Sequence, residues 1–204
     1  MKNIWAKLLR KLGTGDTITI VSGLPRSGTS MVMKMLEAGG MTALTDNLRR
    51  ADLDNPKGYY EFEPVKKLYK GETAWLPEAR GKVVKVIATL LPYLPDTYQY
   101  RVIFVHRDLR EILASQKKML VNRGEDADKV ADEEMAQIFE KHLSQVDRWI
   151  KAHPNVKCID VDYNLLIRDP GLEIARINEF LGKTLDEEQM VNVIDPSLYR
   201  QRVA

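Results

Sequence analysis

The residues whose types and spacing carry the most chemistry are Gly23-Leu24-Pro25-Arg26-Ser27-Gly28-Thr29-Ser30. They follow the β-branched run Thr17 to Val21 and open the helical stretch Met31 to Ala38. A strand, a glycine-bearing loop and a helix start, in that order, converge unpaired backbone N–H groups on one point and make an anion site. The spacing G-x4-G-x-[ST] is that of a phosphate-binding loop, but Thr29 stands where a nucleoside-triphosphatase carries its lysine. Arg26 supplies a cation instead. The loop therefore points away from ordinary ATP or GTP chemistry and toward a nucleotide bound for another purpose.

A second constellation is Val105-His106-Arg107-Asp108, with Ser115 eight positions beyond Arg107. That distance is about two helical turns. An arginine at a strand end and a hydroxyl on the next helix could grip one phosphate, each charge-assisted contact contributing roughly 1.5–3 kcal/mol. A surface arginine beside a locally bonded serine would give the same letters. His106 alternates with Arg107 across the strand, so the two face opposite sides and a structural role is expected for the histidine. Lys85 sets a charge inside Val83-Val84-Lys85-Val86-Ile87. It must reach an edge or an anion, because burying it unpaired is costly.

These residues need elements to hold them. Periodicity predicts strands at Thr17–Ser22, Met41–Thr45, Val83–Ile87, Arg101–His106 and Val156–Val161. It predicts helices at Thr29–Ala38, Pro64–Lys70, Leu109–Val121, Asp132–Ala152 and Gly171–Leu181. Near-continuous apolar strands such as Val102-Ile103-Phe104-Val105 suit a parallel sheet covered on both faces. The alternation of strands and helices predicts an α/β fold, a three-layer doubly wound parallel β-sheet of P-loop nucleotide-binding type. Ligands of such sheets bind beyond the carboxyl ends of the strands. Long connections run from Asp46 to about Glu63 and from Asn122 to about Lys129.

The 204 residues suit a single domain, with 183–204 as a carboxyl-terminal tail. Hydrophobic content of 44% and charged content of 29% are those of an ordinary globular protein. With 31 Lys and Arg against 29 Asp and Glu, the net charge of +2 implies no general affinity for nucleic acid. The single cysteine, Cys158, excludes an internal disulfide and fits a reducing, cytoplasmic compartment, as a buried inert thiol. No apolar stretch reaches the ~18 residues of a membrane span. Residues 1–15 read as a basic amphipathic helix, expected to pack on its own domain.

Together the two constellations resemble the family of sulfotransferases that use 3′-phosphoadenylyl sulfate (PAPS), most like its bacterial members. Pro25-Arg26-Ser27-Gly28-Thr29-Ser30 is similar to the family's 5′-phosphosulfate loop, and Arg107 with Ser115 to its 3′-phosphate pair. Tyr163, before Leu165-Leu166-Ile167-Arg168-Asp169-Pro170, resembles the tyrosine that approaches adenine. The resemblance implies that Arg26, Ser27, Gly28, Thr29, Ser30, Arg107, Ser115 and Tyr163 bind PAPS as co-substrate. It implies sulfuryl transfer to a hydroxyl or amine of a small-molecule or glycan acceptor, with no metal. Arg26 and Lys85 become stabilisers of the leaving group. Ile87 occupies the position of the family's usual histidine base, so the base is sought at Asp46, after the expected short strand, or at Glu61. Glu61 ends a stretch, Asn55-Pro56-Lys57-Gly58-Tyr59-Tyr60-Glu61, like that of bacterial relatives. Tyr59, Tyr60 and Phe62 are candidates for an acceptor pocket. The family's Arg-Lys-Gly ligand motif is absent, which leaves Arg200 and Arg202 as candidates to close over the 3′-phosphate. A small P-loop kinase and a non-catalytic PAPS or 3′,5′-ADP sensor remain as alternatives. The first is opposed by Thr29 and by the lack of an acidic strand end for Mg²⁺; the second is kept open by the missing histidine.

Overall fold

The computed structural model describes residues 17–195, except 47, 49–51, 53, 54, 56, 57 and 128, together with 197 and 199. The expected helix at 1–15, Arg200 and Arg202 lie outside these residues.

Four parallel strands form the sheet: β1 (Thr17–Gly23), β2 (Val83–Lys85), β3 (Gln99–His106) and β4 (Val156–Asp162), in the order β2-β1-β3-β4. β1 and β3 are central and buried along most of their length, as strands covered on both faces must be. Alternation along them divides the core. Ile18, Ile20, Val102 and Phe104 pack on one face with Trp75, Leu91 and Val146. Val21, Ile103 and Val105 pack on the other with Val32, Met33, Leu36, Ile174 and Ile177. The first face is covered by α4 (Asp132–Ala152) and the turns flanking β2. The second is covered by α1 (Thr29–Ala38) and α6 (Pro170–Leu181). The three layers match the expected α/β fold.

Several elements differ from the sequence-based expectation. Met41–Thr45 is not a strand: a single bridge pairs Ala43 with Val83, through Val83 N–H to Thr42 O at 3.0 Å and Leu44 N–H to Val83 O at 2.8 Å. β2 has only three residues, so its outer edge has room for little more. That strand stops at Lys85 rather than Ile87, because Ile87 heads a 3-10 helix, Ala88–Tyr93. Glu63–Lys70 is also 3-10 rather than α-helical, with Pro64 in its first turn and Gly71 closing it at φ 77°. The short helices α2 (Leu76–Ala79), α5 (Tyr163–Arg168) and α7 (Glu187–Asn192) carry too few residues to show a period. Cys158 is half-buried rather than buried, and burial pushes its thiol up to about 12.

The arrangement brings the carboxyl ends of β1, β2 and β3 together. Val21 pairs with Lys85 on one side and Ile103 on the other, and Gly23 with Val105. α3 (Leu109–Asn122) leaves β3 with Asp108 as its cap, the carboxylate accepting from Arg110 N–H at 2.8 Å. Side-chain bonding to Arg110 holds the Asp108 carboxyl below its usual 3.8. A carboxyl lowered on folding stabilises the protein above its unfolded pKa and loses that contribution as pH falls through the folded value. Asp108→Ala should therefore cost about 0.5–2 kcal/mol at pH 7, the usual worth of such a cap. In denaturant titrations the gap from the parent protein should narrow as pH is taken below 3.8.

Candidate active site

The loop after β1 gets its shape from two positive-φ residues, Arg26 at 70° and Gly28 at 101°. Gly28 is needed twice over. Its φ is one that side-chain-bearing residues rarely adopt, and a Cβ there would stand 2.6 Å from Tyr163 Cε2. The Gly28 carbonyl starts α1, accepting from Met31 and Val32 N–H at 3.0 and 3.2 Å. The N–H groups of Gly28, Thr29 and Ser30 precede the first donors with intrahelical partners and so stand ready for an anion. Ser27 stands apart from them. Its N–H bonds Leu24 O at 3.2 Å and its hydroxyl is buried, off the cavity wall.

Arg107 is held at the loop's back. Its Nη1 donates to Arg26 O at 3.1 Å and its Nε to Glu111 Oε2 at 2.9 Å, with only 8% of the side chain exposed. The guanidinium lies 4.7 Å from the centre of the Tyr163 ring and 5.5 Å from that of Tyr199, within cation–π range of both. Buried Glu111 also accepts from Asn164 Nδ2 at 3.1 Å and from the Tyr199 hydroxyl. Burial, and then the bond to Glu111, raises the Tyr199 hydroxyl above its ordinary pKa, so it stays a donor. Tyr163 is raised too, chiefly by burial. Arg26 sends its side chain back over this corner, with Nε donating to Ser115 Oγ at 3.0 Å. Sequence reasoning missed Glu111, Asn164 and Tyr199. Only Glu111 left a signal, the four-residue spacing from Arg107 that juxtaposes side chains on a helix.

Lys85 faces the same space. Its Nζ bonds the Tyr59 carbonyl and lies 3.4 Å from Ser30 Oγ, which also donates to Tyr59 O at 3.2 Å. The segment carrying Tyr59 is anchored by Asp46, whose carboxylate accepts from the N–H groups of Leu48 and Glu63. Thr45 Oγ1 and Asp46 N–H both bond Glu61 O, at 2.8 and 3.2 Å.

A cavity of about 710 Å³ joins these parts. Arg26, Gly28, Thr29, Ser30, Lys85, Glu61, Arg107, Ser115 and Tyr163 all line it, whereas Asp46 does not. Tyr59 and Phe62 line it as well, while Tyr60 turns away to bond Glu37. Glu61 is mostly shielded from solvent and lies 3.3 Å from Lys66 Nζ. His106 turns from the cavity to Asp160, with Nε2 to Oδ1 at 2.7 Å. The arrangement can hold an anion at the head of α1, a second at Arg107 and Ser115, and a reacting group between Lys85 and Glu61.

The close approach of Tyr163 to Gly28 supplies a test. Gly28→Ala should displace the tyrosine and open the Arg107 sandwich. A lowered Tm with loss of near-ultraviolet circular dichroism is expected; an unchanged Tm and spectrum would mean that the contact is not needed.

No curated protein matches the chain significantly. The fold is similar to the sulfotransferase domain of the Synechococcus PCC 7002 olefin synthase, at TM-score 0.56 and 16% identity, covering 94% of this chain and 90% of that one. It is similar to the sulfotransferase STF1 of Mycobacterium tuberculosis H37Rv at TM-score 0.58 and 16% identity, covering 95% and 74%. The sulfotransferase domain from the curacin biosynthetic pathway follows at TM-score 0.52 and 14% identity, covering 88% and 78%. A family model described as the sulfotransferase domain matches residues 16–201. A chain matched over that length, with the site assembled as above, belongs to the sulfotransferase domain family.

Proposed function

We propose that this protein transfers the sulfuryl group of PAPS to a hydroxyl or amine of a small-molecule or glycan acceptor, in the cytoplasm. The observation that carries the reading is the single cavity shared by the loop, Lys85, Arg107 and Ser115. A donor with a phosphosulfate at one end and a 3′-phosphate at the other needs two anion sites at fixed separation. When bound, PAPS supplies a sulfuryl group on a good leaving phosphate.

The chain's own residues then divide the work. The N–H groups of Gly28, Thr29 and Ser30, with the dipole of α1, hold the 5′ end. Arg107 and Ser115 hold the 3′-phosphate, and Tyr163 flanks the base. Arg107 can do this without reorganising, because Glu111 and two aromatic rings already fix its plane. Lys85 and Arg26 oppose the charge that grows on the leaving oxygen, an effect strongest where donors are fixed beforehand. Arg26 starts in the loop and its Nε donates to Ser115 Oγ, so its side chain runs from one proposed anion site to the other. Glu61 takes the acceptor proton. Asp46, the other candidate, caps the 3-10 helix with its carboxylate and holds the segment that presents Glu61.

Arg107→Ala should weaken 3′,5′-ADP binding in calorimetry by roughly 10- to 100-fold more than it weakens 5′-AMP binding, the range of one charged hydrogen bond, with the smaller 5′-AMP loss coming from release of the Arg26 carbonyl. Ser115→Ala, which leaves Glu111 paired, should shift the same ratio by less. Equal losses for the two nucleotides would contradict the assignment. In turnover assays with PAPS, Arg26→Ala and Lys85→Met should each lower kcat by about 10²–10³, as loss of one preorganised donor does. An unchanged kcat would remove that residue from the reaction.

A further inference from the structure

The cavity holds more cations than the donor reading uses. Arg26, Lys66, Lys85, Arg107, Lys118 and Arg123 line it, against Glu61 and Asp195. Arg26, Lys85 and Arg107 are assigned to the donor. Lys66 pairs with Glu61 and Glu63, and Asp195 accepts from the N–H and hydroxyl of Ser197. Lys118 and Arg123 are left over. Both are exposed, and neither pairs with a carboxylate among the described residues.

Their position continues the cavity wall beyond the donor clamp. Ser115, Lys118, Met119 and Asn122 follow the i, i+3, i+4, i+7 spacing of one helix face, and all line the cavity. Along the axis of α3, Lys118 stands about 4.5 Å and Arg123 about 12 Å beyond Ser115. The charge thus runs away from the 3′-phosphate pair, toward the carboxyl end of the helix. Other parts of the wall are apolar: Phe62, Val65, Ile87, Leu90 and Met119. Ile87 is 42% exposed, an unfilled apolar surface next to the strand that carries Lys85.

We propose that the acceptor is an anionic amphiphile, whose apolar body lies on Phe62, Val65, Ile87 and Leu90 and whose acidic group pairs with Lys118 and Arg123. The proposal rests on the sulfotransferase reading and adds the chemical class of the acceptor to it. A neutral glycan would leave both cations unused and the apolar wall unmatched. Of the two amphiphile types, acidic and neutral, only the acidic one answers both features.

The test uses the full chain saturated with 3′,5′-ADP and titrates submicellar decanoate or 1-decanol by calorimetry. Decanoate should bind roughly tenfold or more tightly than decanol, the worth of one charge-assisted contact. The Lys118→Gln/Arg123→Gln double variant should erase that preference while keeping 3′,5′-ADP affinity within about twofold. Equal binding of the two probes, or binding of neither, overturns the proposal. A double variant that loses 3′,5′-ADP affinity also overturns it, by moving the cations to the donor. Failure of the parent protein to bind 3′,5′-ADP is a different result and counts against the donor reading itself.

Discussion

The site depends on one contact: the Arg107 guanidinium bonded to the Arg26 carbonyl. It ties the end of β3 to the loop after β1, and so fixes the distance between two places where anions can bind. A cation this deeply buried needs compensation. Glu111 supplies the opposite charge, Tyr163 and Tyr199 cover the ring faces, and Asn164 with Tyr199 satisfies the other carboxylate oxygen. The same Tyr163 lies on Gly28, which makes the loop's positive φ and the clamp's geometry parts of one packing unit.

Around that unit the fold is ordinary, and its ordinariness positions the chemistry. Parallel neighbours β1, β2 and β3 end at one edge, so residues far apart in the chain meet there. Lys85 comes from the edge strand, the anion loop from the central one, and Arg107 with Ser115 from the other central strand and its helix. Tyr59 and Glu61 line the site, with the Glu61 carbonyl held by the Thr45 hydroxyl and the Asp46 N–H, and the Glu63 N–H held by the Asp46 carboxylate. Rigid attachment on both sides suits electrostatic stabilisation, which loses its advantage when donors must reorient.

Much of this was legible in the sequence. The β-branched run of β1 and the apolar run of β3 announced strands of a parallel sheet, and the glycine spacing announced the loop. The eight-residue step from Arg107, just ahead of α3, to Ser115 within it pointed to a shared site, and both line the cavity. What escaped depended on contacts between distant segments. Nothing in the letters tells Asp46 from Glu61 as a base. Three-dimensional bonding assigns the first to the Leu48 and Glu63 amides and leaves the second on the cavity wall. Tyr199 lies 88 residues from Glu111, beyond the reach of any periodicity. Met41–Thr45 carried strand-like residues, but a three-residue neighbour gave it nothing to pair along.

A crystal structure with 3′,5′-ADP bound tests the central claim most directly. The account predicts the 3′-phosphate between Arg107 and Ser115 Oγ, with the 5′-phosphate on the N–H groups of Gly28, Thr29 and Ser30. A nucleotide lying elsewhere in the cavity, or one whose 3′-phosphate is held without Arg107, would contradict it.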